Sequence, residues 1–358
     1  MSHLLHCQKL ELDHARALHA SFYNDPIWLA HEQQQVFARS WQLVAHTGDL
    51  AAAGDHVATD VAGKPVLIVR QADNSLKAFY NVCRHRAGPI ATCNGRGAKA
   101  LHCAYHGWTY TLAGQLRSAP EMQGACDFDV TQIQLPEIAV REWQGLVFVA
   151  LAADAPAFDE MFAGIVERIK PIDISALRFH SRVHYDIDCN WKVYIDNFLE
   201  GYHLPHVHPG LSKVLDYRSY DTELHRWYSL QHSPIRNNDG IYGDGNAWYY
   251  FVYPNIMLNI VPGRMQTNRI LPLGYNRCRI EFDYYYSDDP AVHARIQNEQ
   301  SFSDEIQQED IDICLAVQRG LQSGSYEAGR LCPKRESGVW HFQNLLRDAY
   351  RQAIPVQQ

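Results

Sequence analysis

The chain has 358 residues, 46% apolar and 20% charged, and its 8 Trp, 20 Tyr and 13 Phe supply core material that excludes disorder. Its 32 Lys and Arg against 40 Asp and Glu give a net charge of −8 with no basic block, which excludes a nucleic-acid binder. The longest apolar run, Leu146 to Ala153, is far short of the ~20 residues of a spanning helix, so no membrane span is expected.

The opening MSHLLHCQKLELDHARA matches neither a signal peptide nor a transit peptide. Residues 9–38 then carry helical spacing that ends near Trp41. From there to about residue 152, short apolar runs alternate with turns. HVATDV, PVLIVR and LKAFYNV read as strands, and GLVFVAL follows a turn at Gln144-Gly145. After Asp154-Ala155-Pro156, AFDEMFAGIVERIKPI predicts a helix and RFHSRVHYDID a strand. NWKVYIDNFLEGYH predicts a helix stopped by Pro205. The stretches WYYFVYPNIMLNIV, NRILPLG and RCRIEFDYYYS are strand-like. Asp289-Pro290 then opens a long helix to about Leu321, with Asp as cap and Pro in the first turn. The expected fold is α+β in three parts. Residues 1–39 form a helical segment packing on the last part, 40–153 a small all-β domain, and 154–358 a larger domain.

Two Cys/His pairs, Cys83-Arg84-His85 and Cys103-Ala104-Tyr105-His106, sit on short loops a strand apart. Two thiolates and two imidazoles suit zinc or an iron–sulfur cluster. Cys-x-His fits zinc spacings badly. The alternative is a Rieske centre, where two Cys hold one iron and two His the other. The run NVCRHRAGPIATCNGRGAKALHCAYHGWTYTLAGQL resembles the Rieske domain of ring-hydroxylating-type oxygenases. Cys93, between the pairs, reads as a buried small residue, and His102 as a bystander. The nine cysteines are an odd, scattered set unlike a secreted disulfide framework, and a reducing cytoplasm is expected.

His203, His206 and His208 fall within GYHLPHVHPG, beside Glu200. An iron that keeps positions open for O2 favours two His and one carboxylate on one face. On the long helix, Ile306, Asp310, Ile313 and Val317 share one stripe, so Asp310 is expected inward and Asp312 outward. DNFLEGYHLPHVH resembles the iron-binding segment of Rieske oxygenases. That resemblance implies His203 and His208 as ligands, excludes His206, and makes Asn197 a hydrogen-bond partner beside the iron. It also makes Glu200 a bridge from this iron to the Rieske cluster of the next subunit. The implied fold is an all-β [2Fe-2S] domain plus a catalytic domain with an antiparallel sheet flanked by helices, of the helix-grip, START-like kind.

NWKVYIDNFLEGYHLPHVHPGL, YPNIMLNIVPGRMQTNRILPLG and QQEDIDICLAVQRGLQSGSYEAGRL resemble the choline, betaine and carnitine oxygenase branch of the same family. The resemblance implies a [2Fe-2S] cluster, a mononuclear Fe(II), O2, an NAD(P)H-dependent flavin or ferredoxin-type reductase, and a homotrimer. The expected reaction is hydroxylation of a C–H next to nitrogen in a quaternary amine, by hydroxylation or N-demethylation. Tyr242, Trp248, Tyr249, Tyr250, Phe251 and Tyr253 crowd the stretch ahead of YPN, where a trimethylammonium head could bind over aromatic faces, and Tyr202, Trp248 and Tyr250 are the candidate substrate residues. Whether Arg86, Arg264 or Arg269 meets a substrate carboxylate is open at this stage. The rival readings are a ring-hydroxylating oxygenase of aromatic compounds, a Rieske electron carrier and a zinc-stabilised binding protein.

Overall fold

The computed structural model describes residues 7–236 and 241–353; the first and last residues of the expected outer segments lie outside them. The chain divides into two compact units, residues 37–156 and residues 1–36 with 157–358. No helix among the described residues is long and apolar enough to cross a membrane.

The smaller unit is all β. Strands β1 (Gln42–His46), β2 (His56–Val61), β3 (Lys64–Arg70), β4 (Leu76–Tyr80), β8 (Glu137–Trp143) and β9 (Leu146–Ala150) form one antiparallel sheet, ordered β1-β9-β8-β4-β3-β2. β5 (Leu101–His102), β6 (Thr109–Tyr110) and β7 (Leu116–Ser118) form a second. The apolar run of β3 is continuous because the strand is covered on both faces. Val66 and Ile68 enter one core, while Leu67 and Val69 enter the other with Cys83 and Cys103.

The larger unit is built on a seven-stranded antiparallel sheet. It comprises β10 (Arg178–Ile187), β11 (Asp221–Leu224), β12 (Tyr228–Pro234), β13 (Asn246–Val252), β14 (Ile256–Val261), β15 (Arg264–Gly274) and β16 (Arg277–Tyr286), ordered β10-β16-β15-β14-β13-β12-β11. Gln231, Tyr249, Asn259, Gln266 and Tyr284 lie directly opposite one another across five strands, forming one polar row. The expected 9–38 helix is in fact two short helices, α1 (Ser21–Asn24) and α2 (Ile27–Glu32), the latter continuing into a π turn. The expected helix after Pro156 is also two single turns, α3 (Phe158–Met161) and α4 (Ile165–Arg168), separated by Gly164 at φ +79°.

α5 (Trp191–Phe198) is capped by Asn190, whose Oδ1 accepts from Lys192 N at 3.0 Å. It ends well before Pro205, which instead lies in the first turn of α6 (Leu204–Val207). α7 (Leu211–Val214) follows. Asp289 caps α8 (Pro290–His293), and the long helix proper, α9, runs from Ile296 to Gln322. Its buried stripe is Ser303, Gln307, Cys314, Gln318 and Leu321, with Asp310 on the same line; Val317 is exposed. α10 (Ser337–Ala353) is the last helix among the described residues.

One buried ion pair ties α2, α5 and α10 together. Glu32 Oε1 accepts from Lys192 Nζ at 2.5 Å and from Tyr350 Oη at 2.6 Å, and Oε2 accepts from Trp191 Nε1 at 2.6 Å. Both charges are essentially inaccessible. Removing one charge strands the other in low dielectric. E32A is expected to lower unfolding stability by about 3–5 kcal/mol, measured by denaturant titration. An unchanged midpoint would show the pair to be energetically silent.

Candidate metal centres

The two Cys/His loops of the smaller unit are the same turn used twice. In each, the cysteine N–H donates to the carbonyl five residues on, Cys83 to Gly88 at 2.8 Å and Cys103 to Trp108 at 2.9 Å. In each, the N–H four residues on returns to the cysteine carbonyl, from Ala87 at 3.1 Å and from Gly107 at 3.0 Å. Ala87 and Gly107 both take the left-handed backbone this closure requires. Gly88 leaves room at the sulfur, since a Cβ there would stand 3.1 Å from Cys103 Sγ.

The turns place two buried thiols beside two exposed imidazoles. The His85 and His106 rings lie 4.6 Å apart, and His85 stacks on Trp108 at 4.9 Å. Burial, then the neighbouring Cys83, raises the Cys103 thiol above the usual range, against the backbone hydrogen bonds of Tyr105 and His106. A buried sulfur side and an accessible nitrogen side fit a Rieske cluster, with one iron on each. Cys93 is exposed, not buried as expected, and the His102 ring bonds Thr109 Oγ1 at 3.1 Å. Tyr110 Oη lies 3.2 Å from Cys83 Sγ and accepts from Arg84 N at 3.0 Å.

In the larger unit, ligand atoms of His203, His208 and Asp310 all fall within 4.8 Å of one another. His203 ends the loop after α5, His208 ends α6, and Asp310 projects from α9. His208 Nε2 lies 3.1 Å and His203 Nε2 3.9 Å from Asp310 Oδ1. The outer nitrogens are held by carboxylates. His203 Nδ1 is 2.6 Å from Glu200 Oε1, and His208 Nδ1 is 2.7 Å from Glu309 Oε2. Such an outer hydrogen bond fixes the tautomer that presents Nε2 to a metal. Burial lowers the His208 pKa, but the Asp310 and Glu309 hydrogen bonds outweigh it and raise it. A cation between Nε2 and Asp310 would take the place of that proton. Two imidazoles and one carboxylate on one side fit a mononuclear iron with open positions.

Asn197 Nδ2 donates to Asp310 Oδ1 at 2.5 Å. Glu200 Oε2 also accepts from the backbone N–H of Tyr202 and His203. His206 points to the exposed side, and Asp312 accepts from Gln308 at 2.9 Å away from the cluster. Glu309 is a site residue that the sequence pattern does not single out, since its partner His208 lies far away along the chain. An inner cavity of about 100 Å3 and an outer cleft of about 560 Å3 both reach Asn197, Glu200 and His203. The expected substrate residues do not line the cavity. Tyr202 is 49% exposed, and Trp248 and Tyr250 point to the other face of β13. Of the aromatic crowd, strand alternation turns Tyr249 to the cavity, and Tyr242 lines it too, with Tyr220 from outside that stretch.

Residues 40–138 match the Rieske [2Fe-2S] domain, and residues 174–352 match the ring hydroxylating alpha subunit catalytic domain. Choline monooxygenase of Arabidopsis thaliana is 34% identical over 94% of this chain and 84% of its own. The chain belongs to the Rieske oxygenase family. The carnitine monooxygenase oxygenase subunit of Escherichia coli is 29% identical over 93% of each chain. A solved quaternary ammonium Rieske monooxygenase is 27% identical and covers 96% of this oxygenase and 99% of its own chain, with a TM-score of 0.87. Naphthalene 1,2-dioxygenase, at 17% identity and TM-score 0.74, shares the fold. The cofactors of this oxygenase are a Rieske [2Fe-2S] cluster and a mononuclear iron.

Two measurements follow from the geometry. Y110F removes the hydrogen bond at Cys83 Sγ, a bond that would favour the reduced state of a cluster held there. The reduction potential is expected to fall by about 20–60 mV in a redox titration. E309A frees the His208 ring, and iron retention against a chelator is expected to weaken about 10–100-fold while the cluster absorption persists.

Proposed function

We propose that this chain is the terminal oxygenase of a multicomponent system that hydroxylates a C–H bond next to nitrogen in a quaternary-ammonium compound. The net reaction consumes the C–H compound, one O2, two electrons and two protons, and yields the C–OH compound and water. The observation that carries the reading is the two-His, one-carboxylate site opening onto a buried cavity with aromatic walls. The choline and carnitine monooxygenases among its relatives support the same substrate class.

Cys83 and Cys103 would hold the inner iron of the cluster, and His85 and His106 the outer one. His203, His208 and Asp310 would hold the mononuclear iron, which supplies O2 binding and reduction. Glu200 and Glu309 keep both Nε2 atoms turned toward the metal position, and Asn197 orients Asp310. The phenols of Tyr194 and Tyr220 are tied to Gln307 and Gln231, at 2.6 and 3.2 Å, which fixes two rings of the cavity wall.

Electrons would come from NAD(P)H through a separate reductase. In a homotrimer, Glu200 would link His203 of one copy to His106 of the partner subunit across the subunit boundary. This extends the resemblance to the quaternary ammonium Rieske monooxygenase described with inter-subunit electron transfer. All nine cysteines are free, which agrees with a reducing cytoplasm.

The test is coupled turnover with NADH, a ferredoxin-type reductase and 18O2. Choline, carnitine, glycine betaine and benzoate would be offered in parallel. The carbinolammonium formed next to nitrogen splits into a tertiary amine and an aldehyde, and the aldehyde, trapped before it exchanges with water, is expected to carry one labelled oxygen; it is formaldehyde if an N-methyl group is attacked. Turnover of benzoate alone would move the oxygenase to the aromatic branch.

A further inference from the structure

We propose that Cys189, Cys278 and Cys314 form an oxidation site for hydrogen peroxide released at the metal position, closing to a disulfide centred on Cys189. The inference goes beyond the proposed reaction and holds whichever substrate the oxygenase hydroxylates.

The three thiols come from three elements: Cys189 from the loop between β10 and α5, Cys278 from β16 and Cys314 from α9. All three are free and fully buried. Cys189 Sγ lies 3.9 Å from Cys278 Sγ. It also takes a hydrogen bond from Cys314, so Cys189 touches both of the others. A buried cysteine usually packs as a small apolar side chain. Here the partner of each sulfur is another sulfur.

The next residue fixes this contact. Asn190 N donates to Gln318 Oε1 at 2.9 Å, one turn of α9 beyond Cys314. Asn190 Nδ2 donates to the carbonyls of Tyr275, at 2.6 Å, and Tyr23, at 3.1 Å. Tyr275 stands just ahead of Cys278 in the turn that opens β16. Cys189 is therefore pressed against α9 and β16 by the bonds of its neighbour.

The protons are shared unevenly. Hydrogen bonds from Cys278 and then Cys314 hold the Cys189 thiol below the usual thiol range, against burial. The same bonds, then burial, push Cys278 and Cys314 above it. Cys189 is thus the sulfur best prepared to attack an oxidised neighbour.

Cys314 connects the cluster to the chemistry. It lines the outer cleft that also reaches Asn197, Glu200 and His203. It stands one turn beyond Asp310 on the same face of α9. An oxygenase that takes two electrons and two protons without hydroxylating a C–H bond releases its O2 as hydrogen peroxide. Peroxide is small and uncharged, and along this cleft it meets Cys314 first.

The Cys314 sulfur attacks one oxygen of the peroxide, and the O–O bond breaks. The thiol proton goes to the departing hydroxide, which leaves as water, and Cys314 becomes a sulfenic acid. The Cys189 sulfur then attacks the Cys314 sulfur. The S–S bond forms, the S–O bond breaks, and the hydroxide leaves as a second water with a second proton from the cluster. Two sulfurs give up two electrons, and one peroxide takes both. Cys278, also in contact with Cys189, can displace Cys314 by thiol–disulfide exchange.

A sulfur–sulfur bond is about 2.0 Å long, so closing it draws the start of α5 and α9 together. The Asn197–Asp310 hydrogen bond spans the same two helices. Oxidation is therefore expected to lower turnover about tenfold by misplacing Asp310.

The test treats the anaerobically prepared holoenzyme with a small molar excess of hydrogen peroxide. A second arm supplies NADH, reductase and O2 without substrate. Free thiols are alkylated and the peptides mapped by mass spectrometry. Both arms are expected to give a disulfide of Cys189 with Cys314 or Cys278, while the exposed Cys93 and Cys126 stay alkylated. Dithiothreitol should restore the thiols and the turnover, with the cluster absorption unchanged throughout. C189A should stop at a Cys314 sulfenic acid, trapped by dimedone, with no disulfide.

Three alkylated thiols in the peroxide-treated wild type would overturn the site without needing any variant to fold. A Cys278–Cys314 disulfide in C189A would overturn the central place of Cys189. A disulfide from added peroxide but none from substrate-free turnover would overturn the metal position as the source. Full turnover by the disulfide form would overturn the effect on Asp310. The peroxide arm requires no catalysis, so an enzyme that oxidises no quaternary amine would overturn the proposed reaction and leave the oxidation site to be judged by its peptides.

Discussion

Each imidazole at the mononuclear site faces inward because a carboxylate holds its outer nitrogen, and the larger unit is arranged around delivering those two carboxylates. Glu200 comes from the loop where α5 has ended, and it also gathers the N–H groups of Tyr202 and His203. Glu309 and Asp310 are consecutive on α9, so one helix reaches His208 from both sides. This geometry requires α9 to turn a polar stripe inward. That stripe is bonded in turn: Ser303 accepts from Tyr284 at 2.9 Å, Gln307 from Tyr194 at 2.6 Å and Gln318 from Asn190 N at 2.9 Å. The helix is fixed by hydrogen bonds along its length, and Asp310 inherits that rigidity.

Buried polar groups in the larger unit fall into two kinds. The Glu32–Lys192–Trp191–Tyr350 cluster is closed, with each glutamate oxygen bonded to neighbouring side chains, and it fastens three helices together. Arg264, Tyr249 and Asn259 are open, with atoms buried and unbonded among the described residues, and all three line one cavity. Closed networks define shape. Open ones define what the shape receives.

The parts of the site legible in the sequence were those encoded locally. Cys83, His85, Cys103 and His106 stand on two short turns, where spacing alone constrains the donor set. His203 and His208 lie on either side of the turn α6, so their convergence needed only a break in helical spacing. Asp310 was expected inward from helical periodicity, and Ile306 and Ile313 of the same stripe do line the cavity and the cleft, while Val317 is exposed. Ser303, Gln307 and Gln318 are buried through hydrogen bonds, and no hydropathy pattern reports that. The same gap hid Glu309, a charged residue whose partner lies a hundred positions away. Trp248 and Tyr250 were chosen for their aromatic character, yet the parity of β13 awarded the cavity to Tyr249. Parity could be read only once a neighbouring strand fixed which face was inward.

The row of Gln231, Tyr249, Asn259, Gln266 and Tyr284 draws one side chain from each of five strands. Side-chain direction reverses at every step along a strand. A one-residue slip in the pairing of β14 would therefore exchange Asn259 for an aliphatic neighbour, Leu258 or Ile260. A bulge prevents this, because its two residues oppose one on the partner and the pairing beyond it resumes in register. The wall of this cavity is preserved by register, and drift in strand length is tolerated only where a bulge or a turn takes it up.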